Sequence, residues 1–279
     1  MRLYSLASLM MLCLSLTACA NKFYIPIWNE KGTAKPLSKT DDVIRVVVPE
    51  RLTKYIAKAR SYDPNWYDKG SKLAFYIGMA KLDTEERLQD LGYQLTDTGL
   101  HSGDSGQAKK IDWIDSQGNE RQAMTHGGKP TVYALVDSRL VNTYTQRFIS
   151  NEPYSSDPGT GATTMWTNHV DEVTMNKVAI GIKLVRPIGK DNPLYQCNYS
   201  SLSTNFCTFP DSYWLDTSHY ETIFYGVGTM TTSARDPDYI ENHLVSSILY
   251  QYPNLLGKKR VIQISQPFFQ VTKVTDIPK

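Results

Sequence analysis

Residues 43–48 read Val-Ile-Arg-Val-Val-Val, β-branched almost throughout and stopped by Pro49, the pattern of a strand. Pro49 opens a helical spacing. Leu52, Tyr55, Ile56 and Ala59 recur at i, i+3, i+4 and i+7, so one face can pack, and Pro64-Asn65 closes the segment. Residues 71–82 read both ways. Leu73, Ile77 and Ala80 suit a helix, while Ala74-Phe75-Tyr76-Ile77 suits a strand. Asp83-Thr84-Glu85-Glu86 has the form of a capping box and predicts a helix start at Asp83. Gly92 ends that helix after Leu88 and Leu91. Residues 99–129, rich in Gly, Ser, Asp and Gln, predict either a surface insert or a polar hairpin around Trp113 and Ile114.

Strand patterns then dominate. Residues 131–136 form one, continuing through Leu140 to Phe148, and residues 151–164 form a loop with Pro153, Pro158, Gly159 and Gly161. Val178, Ile180, Ile182 and Leu184 alternate with Ala179, Gly181 and Lys183, the pattern of a half-buried strand. Residues 220–231 are another strand, with Gly226 and Gly228 leaving a flat surface that a helix or backbone can approach. Asp236-Pro237-Asp238 supplies an N-cap, a proline at the first helical position and an acid for the dipole. The stripe Ile240, Leu244, Val245, Ile248 and Leu249 follows, and Tyr252-Pro253 stops the helix. Residues 261–265 are the final strand candidate. Runs of strands with few βαβ units predict an α+β fold, an antiparallel or mixed sheet with a few helices packed on one face. No internal repeat is present.

Ahead of this body stand Arg2, an almost continuously apolar run over residues 3–16, and the small residues Thr17 and Ala18 before Cys19. That is the layout of an export signal, and the run is shorter than the roughly 20 apolar residues of a membrane span. Leu16-Thr17-Ala18-Cys19 resembles the lipobox of bacterial lipoproteins, a resemblance confined to the first twenty residues. It implies that the Cys19 sulfur receives a diacylglyceryl group, that cleavage precedes Cys19, and that the new amine is acylated, as by palmitate. Ala20, where an aspartate would mean retention in the inner membrane, implies delivery to the outer membrane. The other reading of the leader is an ordinary signal peptide. The predicted organisation is a signal peptide (1–18), a lipidated N-terminus and tether (19–41), and a periplasmic α+β domain (42–279) carrying the segment 99–129 as an insert. The tether is short, polar and proline-punctuated around Tyr24-Ile25-Pro26-Ile27-Trp28, not Gly/Ser-rich, so the body sits close to the membrane. The strand–helix–Tyr-Pro ending, with the helix end Leu91-Gly92-Tyr93, resembles small uncharacterised lipoprotein domains of bacterial envelopes, a likeness that assigns no residue a role.

Charge is nearly balanced, 30 basic residues against 28 acidic, so no basic field marks a nucleic-acid partner. Tyrosine is abundant, 18 against 8 phenylalanines, which suits wide half-exposed sheet surfaces. Of four cysteines, Cys13 leaves with the leader and Cys19 takes the lipid. Cys197 and Cys207 remain, and an even pair in an oxidising compartment reads as a disulfide. It would close a loop of about 11 residues and contribute about 3 kcal/mol. No histidine lies at ligand spacing from either thiol, and redox pairs have two intervening residues, not nine.

No motif predicts a reaction, a metal or a cofactor. Gly103-Asp104-Ser105-Gly106 is similar to the nucleophile segment of chymotrypsin-like proteases, but Gln107-Ala108 follows and His101 is too near for a triad arm; a flexible loop explains it. His101, His126, His169, His219 and His243 show no His-x-x-x-His spacing, and His243 lies beside the apolar stripe of the last helix. The acid pairs Asp41-Asp42, Glu85-Glu86 and Asp171-Glu172 read as caps or solvated neighbours, and Gly127-Gly128-Lys129 lacks phosphate-loop spacing. The expected role is a non-catalytic structural or accessory component of an envelope assembly, with envelope proteins as partners. One rival is an envelope hydrolase acting on peptidoglycan or glycan through His169, Asp171 and Glu172. The other is a ligand- or lipid-binding module with a large apolar cavity.

Overall fold

The computed structural model describes residues 22–51, 69–96, 110–114, 120–124, 130–154, 165–189, 196–198, 206–233, 238–250, 252–254, 257–265 and 270–278. In chain order the elements are β1 (Lys22–Lys31), β2 (Val43–Pro49), α1 (Lys69–Asp90), β3 (Gln94–Leu95), β4 (Lys110–Ile114), β5 (Glu120–Met124), β6 (Val132–Tyr154) and β7 (Met165–Pro187). They continue as β8 (Gln196–Asn198), β9 (Phe206–Phe209), a 3-10 turn (Asp211–Trp214), β10 (Tyr220–Ser233), α2 (Asp238–Ile248), β11 (Lys259–Ser265) and β12 (Gln270–Asp276). The described protein is mostly sheet with two long helices. Ten strands form one open mixed sheet in the order β12-β11-β1-β10-β7-β6-β2-β9-β8, with β3 beside β2. β2 runs parallel to β3, β6 and β9, and the other pairings are antiparallel.

Order begins earlier than the tether reading places it. β1 is an interior strand, paired with β10 on one side and β11 on the other. Its alternation explains this: Ile25 and Ile27 enter the core while Tyr24, Pro26 and Trp28 face out. Pro26 argues locally against a central strand, and two long-range pairings override it. β12 is likewise an addition after the strand read as the last. It is an edge strand with exposed Lys273 and Asp276, charges that discourage further pairing.

The ambiguous residues 71–82 are helical, and α1 runs unbroken through Asp83, so the expected helix start there is overturned. Burial is the reason. Asp83, Thr84 and Glu85 are buried in mid-helix, where Lys81 Nζ donates to Glu85 at 2.5 Å and Thr84 Oγ1 donates to the Ala80 carbonyl at 2.6 Å. The end is as expected. Gly92 takes φ 83°, its N–H donates to the Gln89 carbonyl (2.8 Å), and the Tyr93 N–H donates to the Leu88 carbonyl (3.0 Å). That is a Schellman ending, and it requires the left-handed residue to be glycine.

The stripe of α2 packs as its spacing predicts, with Ile240, Leu244, Val245, Ile248 and Leu249 all buried. It lies on the glycines of β10, where a Cβ on Gly226 would approach Ile248 Cγ2 to 2.5 Å. Tyr76, Ala80 and Leu88 of α1 join the same core, against Ile44, Val46, Ala134, Ile180 and Ile182. A second, smaller cluster lies over Val47, Tyr133, Leu135 and Val185, closed by Phe209, Tyr220 and Trp214. β7 is therefore buried on both faces from Ile180 to Val185, where its alternation predicts one wet face. The 3-10 turn supplies the missing cover, and Trp214 lies directly on Gly181.

Of the two readings of residues 99–129, the hairpin is what the described part shows: β4 and β5 pair antiparallel as a separate two-stranded sheet. Strand β6 extends into the segment read as a loop from 151, ending at Tyr154. The helix expected from Pro49 lies outside the described residues beyond Arg51, as do Asp236, Pro237 and the loop 155–164. No described helix is long and apolar enough to cross a membrane.

Candidate functional site

β6 and β7 are each 23 residues long and outrun the strands that flank them. β10 accompanies β7 only from Pro187 to Met175, and β2 accompanies β6 only from Val132 to Leu135. The ten residue pairs from Thr145↔Thr174 to Tyr154↔Met165 have no third strand among the described residues. At about 3.4 Å per residue this ribbon extends roughly 30 Å beyond the body. Tyr144, Thr145, Gln146 and Arg147 are exposed in succession, so solvent reaches both faces of the ribbon where it leaves the sheet. Val170 is 55% exposed, and Arg147 Nε meets Glu172 Oε1 across the strands at 2.7 Å. A two-stranded ribbon is marginally stable alone, and edges that no described strand covers can each accept a strand.

A second feature lies on the sheet face away from the helices. The register aligns Glu30, Tyr225, Lys183 and Leu135 across four strands. Lys183 is buried; its Nζ donates to the Trp214 carbonyl (2.6 Å) and the Tyr220 hydroxyl (3.2 Å), 5.2 Å from the Trp214 ring centroid. Burial lowers its pKa, and burial with the Asp216 charge pushes the Tyr220 hydroxyl up to about 12. The Tyr220 hydroxyl donates to the Tyr213 carbonyl. These bonds staple the 3-10 turn to the sheet. Beside it Arg51 pairs with Asp137 and, at 3.0 Å, with Asp211, while Arg139 reaches Asp137 at 3.3 Å. Burial raises the Asp137 carboxyl against the pull of Arg51 and Arg139. A groove of about 340 Å³ opens along Lys183, bounded by Glu30, Lys31, Thr222 and Tyr225. Its lining mixes charged and hydroxyl groups with the rings of Tyr220 and Tyr225.

The residues named for a hydrolase do not converge on this groove. His169, Asp171 and Glu172 lie on the ribbon part of β7, and Glu172 is exposed and paired with Arg147. His219 stacks on Tyr213 at 4.4 Å, with Asp216 at 3.5 Å. His243 is buried in α2 beside Phe23, and burial lowers its pKa to about 4, so it packs as a neutral ring. Asp42 is clamped by both Arg186 Nη atoms (2.7 and 3.0 Å) and the Ser38 N–H (2.8 Å). Burial pushes its carboxyl up, and these donors outweigh it and hold the pKa down. Among the described residues no three His, Cys, Asp or Glu are grouped to hold a metal ion. Cys19, His101, His126, Gly103-Asp104-Ser105-Gly106 and Gly127-Gly128-Lys129 lie outside the described residues.

Cys197 and Cys207 are direct cross-strand partners on β8 and β9. Directly opposed residues have Cα atoms about 4.5–5.5 Å apart, within the range that a disulfide can span. Lys183, Asp137 and Arg51 escape sequence reasoning. The available signal is a charge inside an apolar strand, Gly181-Ile182-Lys183-Leu184 and Leu135-Val136-Asp137.

No protein-family model matches the chain, and no curated protein matches it. One solved structure, a PDZ domain protein from Parabacteroides distasonis ATCC 8503 at 2.50 Å resolution, aligns at 11% identity and a TM-score of 0.33. The alignment covers 88% of this chain and 39% of that one, so the chain spans about two fifths of that protein's length. A score of this size transfers neither fold nor role.

Proposed function

We propose that the protein is an outer-membrane lipoprotein, anchored through Cys19 with its body facing the periplasm, and a non-catalytic structural or accessory component of a cell-envelope assembly. Such an assembly is a secretion or conjugation apparatus, a surface organelle or an outer-membrane biogenesis complex. The body is best read as an α+β scaffold with both helices on one face of the sheet. The observation that supports the reading is the ribbon: ten residue pairs of β6 and β7 extend past the last supporting strand, and no described strand covers either edge. Such an extension adds little to the fold that carries it. It is suited to strand addition or side-chain contact with an envelope protein.

The test is mild cross-linking in intact cells, detergent extraction and recovery of the lipidated protein with its companions. The comparison is a variant in which residues 145–174 are replaced by an Asn-Gly turn, which closes β6 and β7 where β10 ends. The expected result is reproducible recovery of a few envelope proteins with the full chain and their loss with the short one. Equal recovery from both removes the ribbon's role. The anchor is tested separately: Cys19→Ala is expected to accumulate as an unprocessed precursor. Its maturation to the normal size with retained membrane attachment would refute the anchor.

A further inference from the structure

Among the described residues, no element packs across the outward face of β1, β11 and β12, where Trp28 leans edge-on against Tyr225 of β10. The register sets Tyr24, Gln263 and Lys273 in one row, Pro26, Val261 and Thr275 in the next, and Trp28 beside Lys259 in a third. Tyr24 is 63% exposed, Trp28 40% and Ile277 41%, and Lys259 and Lys273 are exposed among them. Aromatic and apolar side chains are thus interspersed with lysines. Two carboxylates stand nearby, one of them two residues from Trp28 on the same face. Asp276 is held by Lys258 (2.6 Å) and Arg260 (2.8 Å), and Glu30, the one acid of β1, lies at the end away from the N-terminus.

The path of the chain says what this face meets. β1 starts at Lys22, and Cys19 is three positions earlier. At no more than about 3.6 Å per residue, the lipid-bearing residue lies within roughly 11 Å of the start of the strand. Tyrosine and tryptophan favour the membrane–water interface, and lysines beside them favour anionic headgroups.

We propose that the outward face of β1, β11 and β12 lies flat on an anionic phospholipid surface, with Tyr24 and Trp28 in the headgroup region and Lys259 and Lys273 against phosphates. This rests on the lipoprotein reading above. Lying flat turns β1 parallel to the membrane and fixes the direction in which the ribbon leaves the body, so the anchor sets both the distance and the orientation of the assembly surface.

The experiment uses the full lipidated protein, reconstituted into vesicles of phosphatidylethanolamine and phosphatidylglycerol with acyl chains brominated near the headgroup. Tryptophan quenching is read for the wild type, Trp28→Phe and Lys259→Glu/Lys273→Glu. The expected result is quenching of the wild type, most of it lost in Trp28→Phe and reduced in the double lysine variant. Equal quenching in wild type and Trp28→Phe overturns the proposal, because Trp28 then stands away from lipid. A failure to reconstitute at all refutes the anchor and not this face. Cross-linked pairs of the protein that disappear with Tyr24→Ser would assign the face to a second copy, and would also overturn the proposal.

Discussion

Gly226 and Gly228 set how closely α2 approaches the sheet, and the two differ in a way that can be measured. A Cβ on Gly226 would stand 2.5 Å from Ile248 Cγ2 and 2.7 Å from Phe224 Cζ. On Gly228 the nearest atoms, Ile248 Cγ1 and Leu244 Cδ2, are 3.2 Å away. Carbon atoms rest at about 3.5–4.0 Å, so Gly226→Ala demands a shift of roughly 1 Å and Gly228→Ala only a few tenths. Ile248 and Leu244 are fully buried, so neither can move freely. Overpacking of this kind costs about 1–3 kcal/mol, and the restricted unfolded chain returns about 0.4–1 kcal/mol. Gly226→Ala is therefore expected to destabilise by about 1–2 kcal/mol, and Gly228→Ala to stay within about 0.5 kcal/mol of the wild type. The assay is equilibrium urea unfolding followed by circular dichroism, with the midpoint falling at constant slope. Ile248→Ala removes the clashing methyl group, so the effect of Gly226→Ala should shrink by on the order of 1 kcal/mol in that background. The reasoning is refuted if Gly226→Ala is as stable as the wild type, if Gly228→Ala is the worse of the two, or if the coupling is zero.

Other expectations follow from buried charge and from the cysteines. His243 has its pKa lowered to about 4 by burial, below its unfolded value of about 6.5, so the unfolded chain binds the extra proton between those values. Stability is then lost as pH falls from about 6.5 to 4, by up to about 3 kcal/mol, and urea midpoints of His243→Leu should lack that decline. Glu86 behaves oppositely: burial, Asp90 and Glu85 raise it to about 7, so its ionisation weakens the fold as pH rises from about 4.5 to 7. Glu86→Gln should match the wild type at pH 4 and exceed it at pH 8 by about 1 kcal/mol, allowing for solvent screening at this partly exposed site. Lys81→Met strips the buried Glu85 of its 2.5 Å partner and should cost about 3–5 kcal/mol by thermal unfolding, most of it recovered in Lys81→Met/Glu85→Leu. In the denatured mature protein, Cys197 and Cys207 should react with a thiol reagent only after reduction, and Cys207→Ser should lower stability by about 3 kcal/mol. Equal labelling before and after reduction would rule out the bridge.

Local pattern made several elements legible. β2 follows from its β-branched run, and the stripe of α2 from side-chain periodicity, because burial on one face imposes a period of 3.6 on a helix. Gly92 marks the end of α1 because the left-handed backbone there excludes a side chain. The proposed anchor at Cys19 rests on a linear signal of this kind, and no tertiary contact enters its reading. Where competing signals met, long-range partners decided. Pro26 argues against a strand, yet β1 is held on both sides by β10 and β11. Asp83-Thr84-Glu85-Glu86 argues for a helix start, yet the Lys81–Glu85 pair and the core around Ala80 and Leu88 carry α1 through it. Lys183 belongs to a strand that reads as half wet until the turn carrying Trp214 folds over it. The ribbon and the outward aromatic face are tertiary in the same sense. Sequence periodicity marks where strands run, but where the last neighbour of a strand stops depends on sheet order and register, and both are set by pairings between residues far apart in the chain.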